Sequence, residues 1–205
     1  GVVLTVLSFP SMVSLRGFGF LGWVALVPLF VVLRMGEIRQ GIWYGLVYGV
    51  LTTLIGNYWL GTFNLISLQA VGIIYLFFYL AYLIPVTILL RFVKRGVALV
   101  LPLSWAVFEL ARSSGFLGYP WLLIGHTQYL NLPLIQLASV GGVWLVGFVV
   151  AAVNGAFAEV VAGYLRGGTI REIGRYLAAA GAAVFVSIVV GTSLLATAPA
   201  GDRTV

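Results

Sequence analysis

Long uncharged stretches alternate with short basic segments along the whole of this chain. A helix needs about 20 mainly apolar residues to cross the hydrocarbon core of a bilayer. The stretch 40–90 carries no charge and is long enough for two such helices, with a natural break at 61–64. Each of the other long stretches supplies one predicted span: 17–33, 96–110, 132–161 and 176–196.

The opening residues, 1–8, form a further apolar segment that is too short to cross a bilayer before Pro10. Because the chain also starts without a methionine, we interpret this segment as part of a first helix truncated by clipping. The pattern therefore predicts an all-α fold, a polytopic transmembrane helical bundle of about seven spans. We expect one helical domain over 1–196, followed by an outward-facing linker stub at 197–205 that is small, polar and broken by proline.

The composition agrees with a membrane location, since 62% of the residues are hydrophobic, 8% are charged and the mean hydropathy is +1.14. A net charge of +6 would suggest nucleic-acid binding in a soluble protein. Here eight of the eleven basic residues occupy every second loop, which the positive-inside rule assigns to the cytoplasm. We therefore expect no nucleic-acid partner, a C-terminus on the outer side, and three cytoplasmic loops carrying Arg34 and Arg39; Arg91, Lys94 and Arg95; and Arg166, Arg171 and Arg175.

The chain has no cysteine and a single histidine. The lack of cysteine excludes disulfides, thiolate metal sites and a cysteine nucleophile within these 205 residues. With one histidine and no local cluster of carboxylates, we also expect no metal site and no cofactor. No combination of nucleophile, base and orienting group can be assembled from the residues that remain.

Charged and polar residues are concentrated in one segment, 108–128, of this otherwise apolar chain. Glu109 and Arg112 are three residues apart, so on a helix they share a face and can pair. An ion pair near the outer end of a span is costly in lipid unless it faces protein or water, which makes it a functional candidate. A structural pair that pins the helix end is an equally good interpretation.

The residues that follow argue against a straight helix. Two prolines and several polar groups lie in 118–133, among them Tyr119, His126 and Gln128. Irregular backbone at membrane depth is tolerated only where protein or water satisfies it, so we predict a loop or re-entrant element at the outer surface. For His126 we prefer the interpretation of a hydrogen-bonded structural histidine.

Several small and polar residues elsewhere have structural interpretations. Gly41, Gly45 and Gly49 recur every fourth residue and make a smooth helix face that allows close packing. Asn57 and Asn154 are expected to bond neighbouring helices.

Together these segments resemble the membrane-domain signature of the apolipoprotein N-acyltransferases. In that family an acid and an arginine on one helix precede Gly-Phe/Tyr-Pro-Trp, a Gly-aromatic-Ser-Gln run and a glycine-led helix. His126 and Thr127 depart from the commoner aromatic–serine pair. The resemblance covers nearly the whole chain and rests on residues 109–112, 118–122, 125–128, 141–143, 7–10 and 23–29.

The resemblance implies seven helices, then a nitrilase-like domain on the outer face, then an eighth helix. That domain would follow Val205 and supply a glutamate base, a lysine and a cysteine nucleophile. The cysteine would take an acyl chain from a phospholipid as a thioester and pass it to the α-amine of a lipoprotein's lipidated N-terminal cysteine. The present chain would then be an inactive membrane domain in the bacterial inner membrane, which anchors the catalytic domain and gives both lipid substrates lateral access.

On this interpretation the substrate entrance, or lipid-binding surface, is shaped by four residues and supported by a charged pair: Tyr119, Pro120, Trp121 and Gln128, with Glu109 and Arg112. The alternative is a small polytopic transporter or channel, which predicts polar residues facing one another at mid-membrane and often repeated halves. Most polar groups instead gather toward the outer edge, with Asn154 as the main exception, and no repeat is evident. A membrane scaffold without chemistry of its own is a third interpretation.

Overall fold

The computed structural model describes residues 1–93 and 96–197, which form helices and connecting loops without any β-strand. The prediction of an all-α helical bundle is confirmed for this part of the chain. Two short 3-10 helices, Gly19–Leu21 and Ile124–Gln128, lie in loops. The α-helices are α1 Val2–Ser8, α2 Gly22–Ala25, α3 Val27–Met35, α4 Ile38–Gly56, α5 Leu60–Phe63, α6 Leu65–Phe92, α7 Val97–Ser113, α8 Leu132–Ile135, α9 Ala138–Leu165 and α10 Ile170–Thr197.

Three of the described helices, α6, α9 and α10, are long and apolar enough to cross a membrane, judged by length and composition. The stretch Gly19–Met35 forms a shorter apolar unit. The predicted break within the long uncharged stretch is confirmed, because α5 ends at Phe63 and the Asn64 side chain caps α6 by accepting the Ile66 N–H at 2.8 Å.

The predicted span 17–33 is divided into a 3-10 turn, α2 and α3, and the starts of α9 and α10 also differ from the prediction. The helix α9, which corresponds to the predicted span 132–161, begins at Ala138 because Pro133 lies in the separate short helix α8. Its first turns are kinked at Gly141 and Gly142, and Gly142 has a φ of +66°, a conformation that favours glycine. The last helix, α10, begins at Ile170 rather than at residue 176, so Arg171 and Arg175 are helical residues.

The bundle has two chemically different ends. At the basic end, which carries Arg34, Arg39, Arg91 and Arg166, the Arg34 Nε donates to Glu159 Oε1 at 2.8 Å and Arg91 donates to the Gly36 carbonyl. At the loop end lie residues 9–21, 57–64 and 114–137, which are joined by side-chain hydrogen bonds. Lys94, Arg95, Arg203 and nearly all of the predicted stub at 197–205 lie outside the described residues.

The glycine face of α4 packs closely on a neighbouring helix, as predicted, and that helix is α6. A Cβ atom added to Gly41 would lie 2.8 Å from Thr87 Cγ2, and one added to Gly49 would lie 2.5 Å from the Tyr79 ring. Gly45, between them, lies against a leucine of α6. These glycines therefore let the two backbones approach more closely than any larger residue would allow.

Asn154 of α9 joins two helices by inserting its side-chain amide into the break between α2 and α3. Its Oδ1 accepts the Leu26 N–H at 2.8 Å and its Nδ2 donates to the Gly22 carbonyl at 2.9 Å. In an unbroken helix these two backbone groups would bond each other. The prediction that Asn154 bonds a neighbouring helix is confirmed, and its amide is used in packing.

An aromatic cluster fills the centre of the bundle around Trp105 of α7, which is 3% exposed. Four rings surround its indole with centroid separations between 5.3 and 6.4 Å: Phe30, Tyr48, Tyr82 and Phe108. Most of these pairs are edge-to-face, the arrangement that aromatic quadrupoles favour. This cluster lies one helical turn before the charged pair on α7 and packs next to that pair.

Candidate functional site

The segment between α7 and α8, residues 114–131, is an ordered loop rather than a helix. Gly115 has a φ of +76° and allows a tight turn, which the Gly118 N–H closes on the Gly115 carbonyl at 3.0 Å. The Tyr119 N–H then returns to the Arg112 carbonyl at 3.1 Å. The prediction of a loop in this place is therefore confirmed by the backbone path.

Glu109 fastens the second half of this loop to α7. Its side chain is 1% exposed, and Oε1 accepts the Ile124 N–H at 2.7 Å. Ile124 opens the 3-10 helix, so the carboxylate binds a free N–H at the start of a helical turn. The same oxygen lies 3.5 Å from Arg112 Nη2.

Arg112 fastens the first half of the loop and is 2% exposed. Its Nη1 donates to the Trp121 carbonyl at 2.9 Å and to the Tyr75 hydroxyl at 2.8 Å, while Nη2 donates to the Leu122 carbonyl at 2.8 Å. The predicted pair with Glu109 is present, but the shorter bonds of the guanidinium go to the loop backbone. Arg112 is therefore chiefly a backbone clamp, for which the planar fork of arginine is suited.

Leu122 is held in a conformation that L-residues seldom adopt. Its φ is +56°, the only positive φ outside glycine among the described residues. Such a conformation costs about 1–2 kcal/mol. It turns the Trp121 and Leu122 carbonyls toward the same guanidinium, and the two bonds to Arg112 offset the strain.

Tyr119 connects the loop to two other helices. The Tyr75 hydroxyl of α6 donates to the Tyr119 carbonyl at 2.6 Å, and the Tyr119 hydroxyl donates to Asn57 Oδ1 at 2.9 Å. Burial raises the pKa of Tyr119 to about 12, so its hydroxyl stays protonated and remains a donor at neutral pH. Asn57 was predicted to bond a neighbouring helix, but its partners are the loop residue Tyr119 and, through Nδ2, the Thr53 carbonyl of its own helix.

Trp121 and Pro120 lie on the outer surface of the loop. The Trp121 side chain is 48% exposed, and its ring contacts Trp59 at a centroid distance of 5.2 Å. The Tyr119 ring stacks on it at 6.3 Å. The structure thus brings together three of the four predicted entrance residues on one aromatic surface, with the exposed tip Phe116 nearby in sequence.

Gln128 lies apart from that surface and is buried. Its Nε2 donates to the Gly19 carbonyl and to Thr127 Oγ1, both at 2.8 Å. These bonds connect the 3-10 helix Ile124–Gln128 to the start of the apolar unit Gly19–Met35. His126 is exposed on the same turn. Although His126 is exposed, partial desolvation by the surrounding protein, followed by the positive charge of Arg112, lowers its pKa, which favours a neutral imidazole.

The sequence did not single out Tyr75, although its hydroxyl links Arg112 to Tyr119. The only available signal was a tyrosine within an otherwise lipid-like stretch. Among residues 1–93 and 96–197, no group of three histidine, aspartate or glutamate side chains is placed to hold a metal ion.

Comparison with known proteins agrees with the sequence pattern. Residues 1–156 match the family model described as the apolipoprotein N-acyltransferase N-terminal domain. The chain belongs to the apolipoprotein N-acyltransferase family. The matched region contains α1 to α8, the loop with Glu109 and Arg112, and the first part of α9.

Curated apolipoprotein N-acyltransferases from three bacteria illustrate the similarity. The protein from Treponema pallidum is 34% identical over 73% of this chain, and that from Treponema denticola is 31% identical over 72%. The Geobacter metallireducens protein is 31% identical over 79%. The aligned parts make up only 27%, 27% and 32% of these relatives, so the chain spans less than a third of their length.

Proposed function

We propose that this chain is the membrane domain of an apolipoprotein N-acyltransferase and has no acyltransferase activity by itself. The catalytic step would be carried out by a nitrilase-like domain after Val205, which uses a phospholipid as acyl donor and the N-terminal cysteine of a lipidated lipoprotein as acceptor. One observation carries the proposal: Glu109 and Arg112 of α7 hydrogen-bond the backbone of the loop 114–131, while Tyr119, Pro120 and Trp121 remain on its outer surface.

The charge distribution supports an orientation in the bacterial inner membrane. Arg34, Arg39, Arg91 and Arg166 gather at the basic end, which the positive-inside rule places in the cytoplasm. The loop end, with its tyrosines and tryptophans, would then lie at the outer interface, where amphipathic rings favour the headgroup region. The proposed domain is 1–196, and 197–205 would link it outward.

The path of α10 is compatible with a following catalytic domain. Gly191 lies against the Pro133 backbone of α8, so the last turns of α10 run beside the loop end. Thr197 is six residues beyond Gly191, or about 9 Å at the rise of an α-helix. A domain that follows would therefore begin at the loop end of the bundle.

The roles proposed for the individual residues follow from their positions. Tyr119, Pro120 and Trp121 would form the rim past which an acyl chain enters, since Tyr119 and Trp121 present amphipathic rings at the loop end, which is proposed to lie at the outer interface. Glu109 and Arg112 would brace that rim. Gln128 would contribute indirectly, by holding the far side of the same loop to Gly19.

The first test asks whether catalysis needs more than these 205 residues. We expect the purified chain in phospholipid vesicles to transfer no acyl group to a diacylated lipopeptide, because it contains no cysteine nucleophile. The reading frame beyond Val205 is expected to encode a domain with glutamate, lysine and cysteine, and the longer product is expected to be active. Acyl transfer by the 205-residue chain alone would refute the proposal.

The second test concerns the rim. In the longer product, Trp121→Ala is expected to raise the KM for phospholipid about two- to tenfold, the worth of one aromatic contact, with a smaller change in kcat. Trp43→Ala is the matched control, since Trp43 is 60% exposed but lies at the basic end. Equal effects of the two substitutions on KM would contradict a specific role for Trp121.

A further inference from the structure

A small enclosed cavity lies beneath the loop, between α4, α6 and α7. It is lined by Leu122 and Ile124 of the loop and by Thr52, Trp105 and Arg112 of the helices. The cavity has a volume of about 10 Å³. This is close to the smallest volume that holds a single water.

Three residues that line this cavity present buried polar atoms without a hydrogen-bond partner among the described residues. They are Thr52 Oγ1, Trp105 Nε1 and Arg112 Nε. Of the other polar groups in the wall, the Tyr48 hydroxyl bonds Thr5 at 2.9 Å and the Tyr75 hydroxyl bonds Arg112, while the Thr53 and Tyr79 hydroxyls have no hydrogen bond among the described residues. Buried donors without partners are costly, and three around one cavity call for a shared partner.

We propose that this cavity is the binding site of one structural water molecule. The water accepts hydrogen bonds from Trp105 Nε1 and Arg112 Nε and donates one to Thr52 Oγ1. The chemistry matches, because a water molecule has two lone pairs for the two N–H donors and a hydrogen for the hydroxyl oxygen. Buried waters in proteins make about three such bonds.

The water site goes beyond the proposed function, because it would exist whatever the chain does. It joins Arg112, the clamp of the loop, to α4 through Thr52. The remaining nitrogens of Arg112 are fixed by Tyr75 and by two loop carbonyls. With the water bound, every N–H-bearing nitrogen of the guanidinium has a partner, and the loop is tied to three helices.

The competing arrangement is a direct bond between neighbours on α7. Glu109 Oε2 also lacks a partner among the described residues, and Glu109 is four residues from Trp105 on the same helix face. A small rotation of the indole would let Trp105 Nε1 donate to this oxygen. Thr52 Oγ1 and Arg112 Nε would then still lack a partner.

A density map of the wild-type protein in lipid nanodiscs, at a resolution that reveals ordered water, separates the two arrangements without any substitution. We expect one peak within hydrogen-bonding distance of Thr52 Oγ1, Trp105 Nε1 and Arg112 Nε. A map without that peak, in which Trp105 Nε1 contacts Glu109 directly, would overturn the proposal.

A double-mutant cycle gives an independent readout in solution. Thr52→Val and Trp105→Phe are each expected to shift the unfolding equilibrium constant about tenfold toward the unfolded state. The double variant should shift it by less than the product of the two, because the first substitution already weakens the shared water. Independent, multiplicative effects would count against the water.

Thr87→Val combined with Trp105→Phe is the matched control. Thr87 is as deeply buried as Thr52, but its hydroxyl bonds the Leu83 carbonyl of its own helix at 2.6 Å. We expect this pair to be multiplicative. If it deviates as far as the pair with Thr52, the non-additivity does not come from a shared water.

Discussion

Arg112→Met is expected to lower the free energy of unfolding of the membrane domain by about 3–5 kcal/mol, the usual result of removing one partner from a buried ion pair. Methionine keeps most of the side-chain volume but donates no hydrogen bond. Glu109 would remain buried without a cation, and the Trp121 and Leu122 carbonyls would lose their donor. The backbone at Leu122 would then lose the two hydrogen bonds that offset its strain.

The measurement is unfolding in mixed detergent micelles followed by tryptophan fluorescence. Arg166→Met is the matched control, because Arg166 is exposed at the basic end, and we expect a change within about 0.5 kcal/mol there. Adding Glu109→Gln to Arg112→Met should recover part of the loss, since the uncompensated charge disappears. A loss at Arg112 no larger than at Arg166 would rule out the clamp.

The periodic and compositional features of the fold could be predicted because they depend on neighbouring residues in sequence. The break before Asn64 follows from a capping residue at the start of an apolar run, and the glycine face of α4 follows from a four-residue repeat. An interhelical hydrogen bond of Asn154 could be predicted, because a side-chain amide within a span needs a hydrogen-bond partner. These features require no knowledge of the path of the loop.

The contacts of the candidate site could be predicted only in part. The helical spacing of Glu109 and Arg112 indicated that they pair, but the better partners of Arg112 are main-chain carbonyls at 121 and 122. Main-chain acceptors carry no signature in the sequence, and their direction depends on the unusual φ of Leu122. Gln128 was grouped with Tyr119 by proximity in sequence, yet the loop turns between them and places Gln128 against Gly19.

The two halves of the loop end have a common design. In each, one buried side chain on a long helix satisfies backbone groups that a broken helix or a loop leaves free: Arg112 and Glu109 of α7 do so for residues 121–124, and Asn154 of α9 for Gly22 and Leu26. Backbone at membrane depth must be satisfied within the protein. These side chains therefore permit non-helical backbone here. We expect their loss to destabilise the whole bundle and not only the loop.

Asn154→Leu tests this on the second half, and we expect it to lower the free energy of unfolding by about 2–4 kcal/mol. Leucine is close to asparagine in shape, but it leaves the buried Leu26 N–H and Gly22 carbonyl without partners, each costing about 1–3 kcal/mol. In the variant, α2 and α3 cannot join into one regular helix, because Pro28 has no N–H to continue the series of backbone hydrogen bonds.

Ser187→Ala is the matched control for Asn154→Leu. Ser187 is a buried polar residue of α10 whose hydroxyl bonds only the Ala183 carbonyl of its own helix, so its removal should cost less than about 1 kcal/mol. Hydrogen exchange adds a local readout: in Asn154→Leu the Leu26 amide should exchange faster, because its acceptor is gone. Unchanged protection of that amide would mean that Leu26 has bonded Gly22 directly, and that the break between α2 and α3 does not depend on the asparagine.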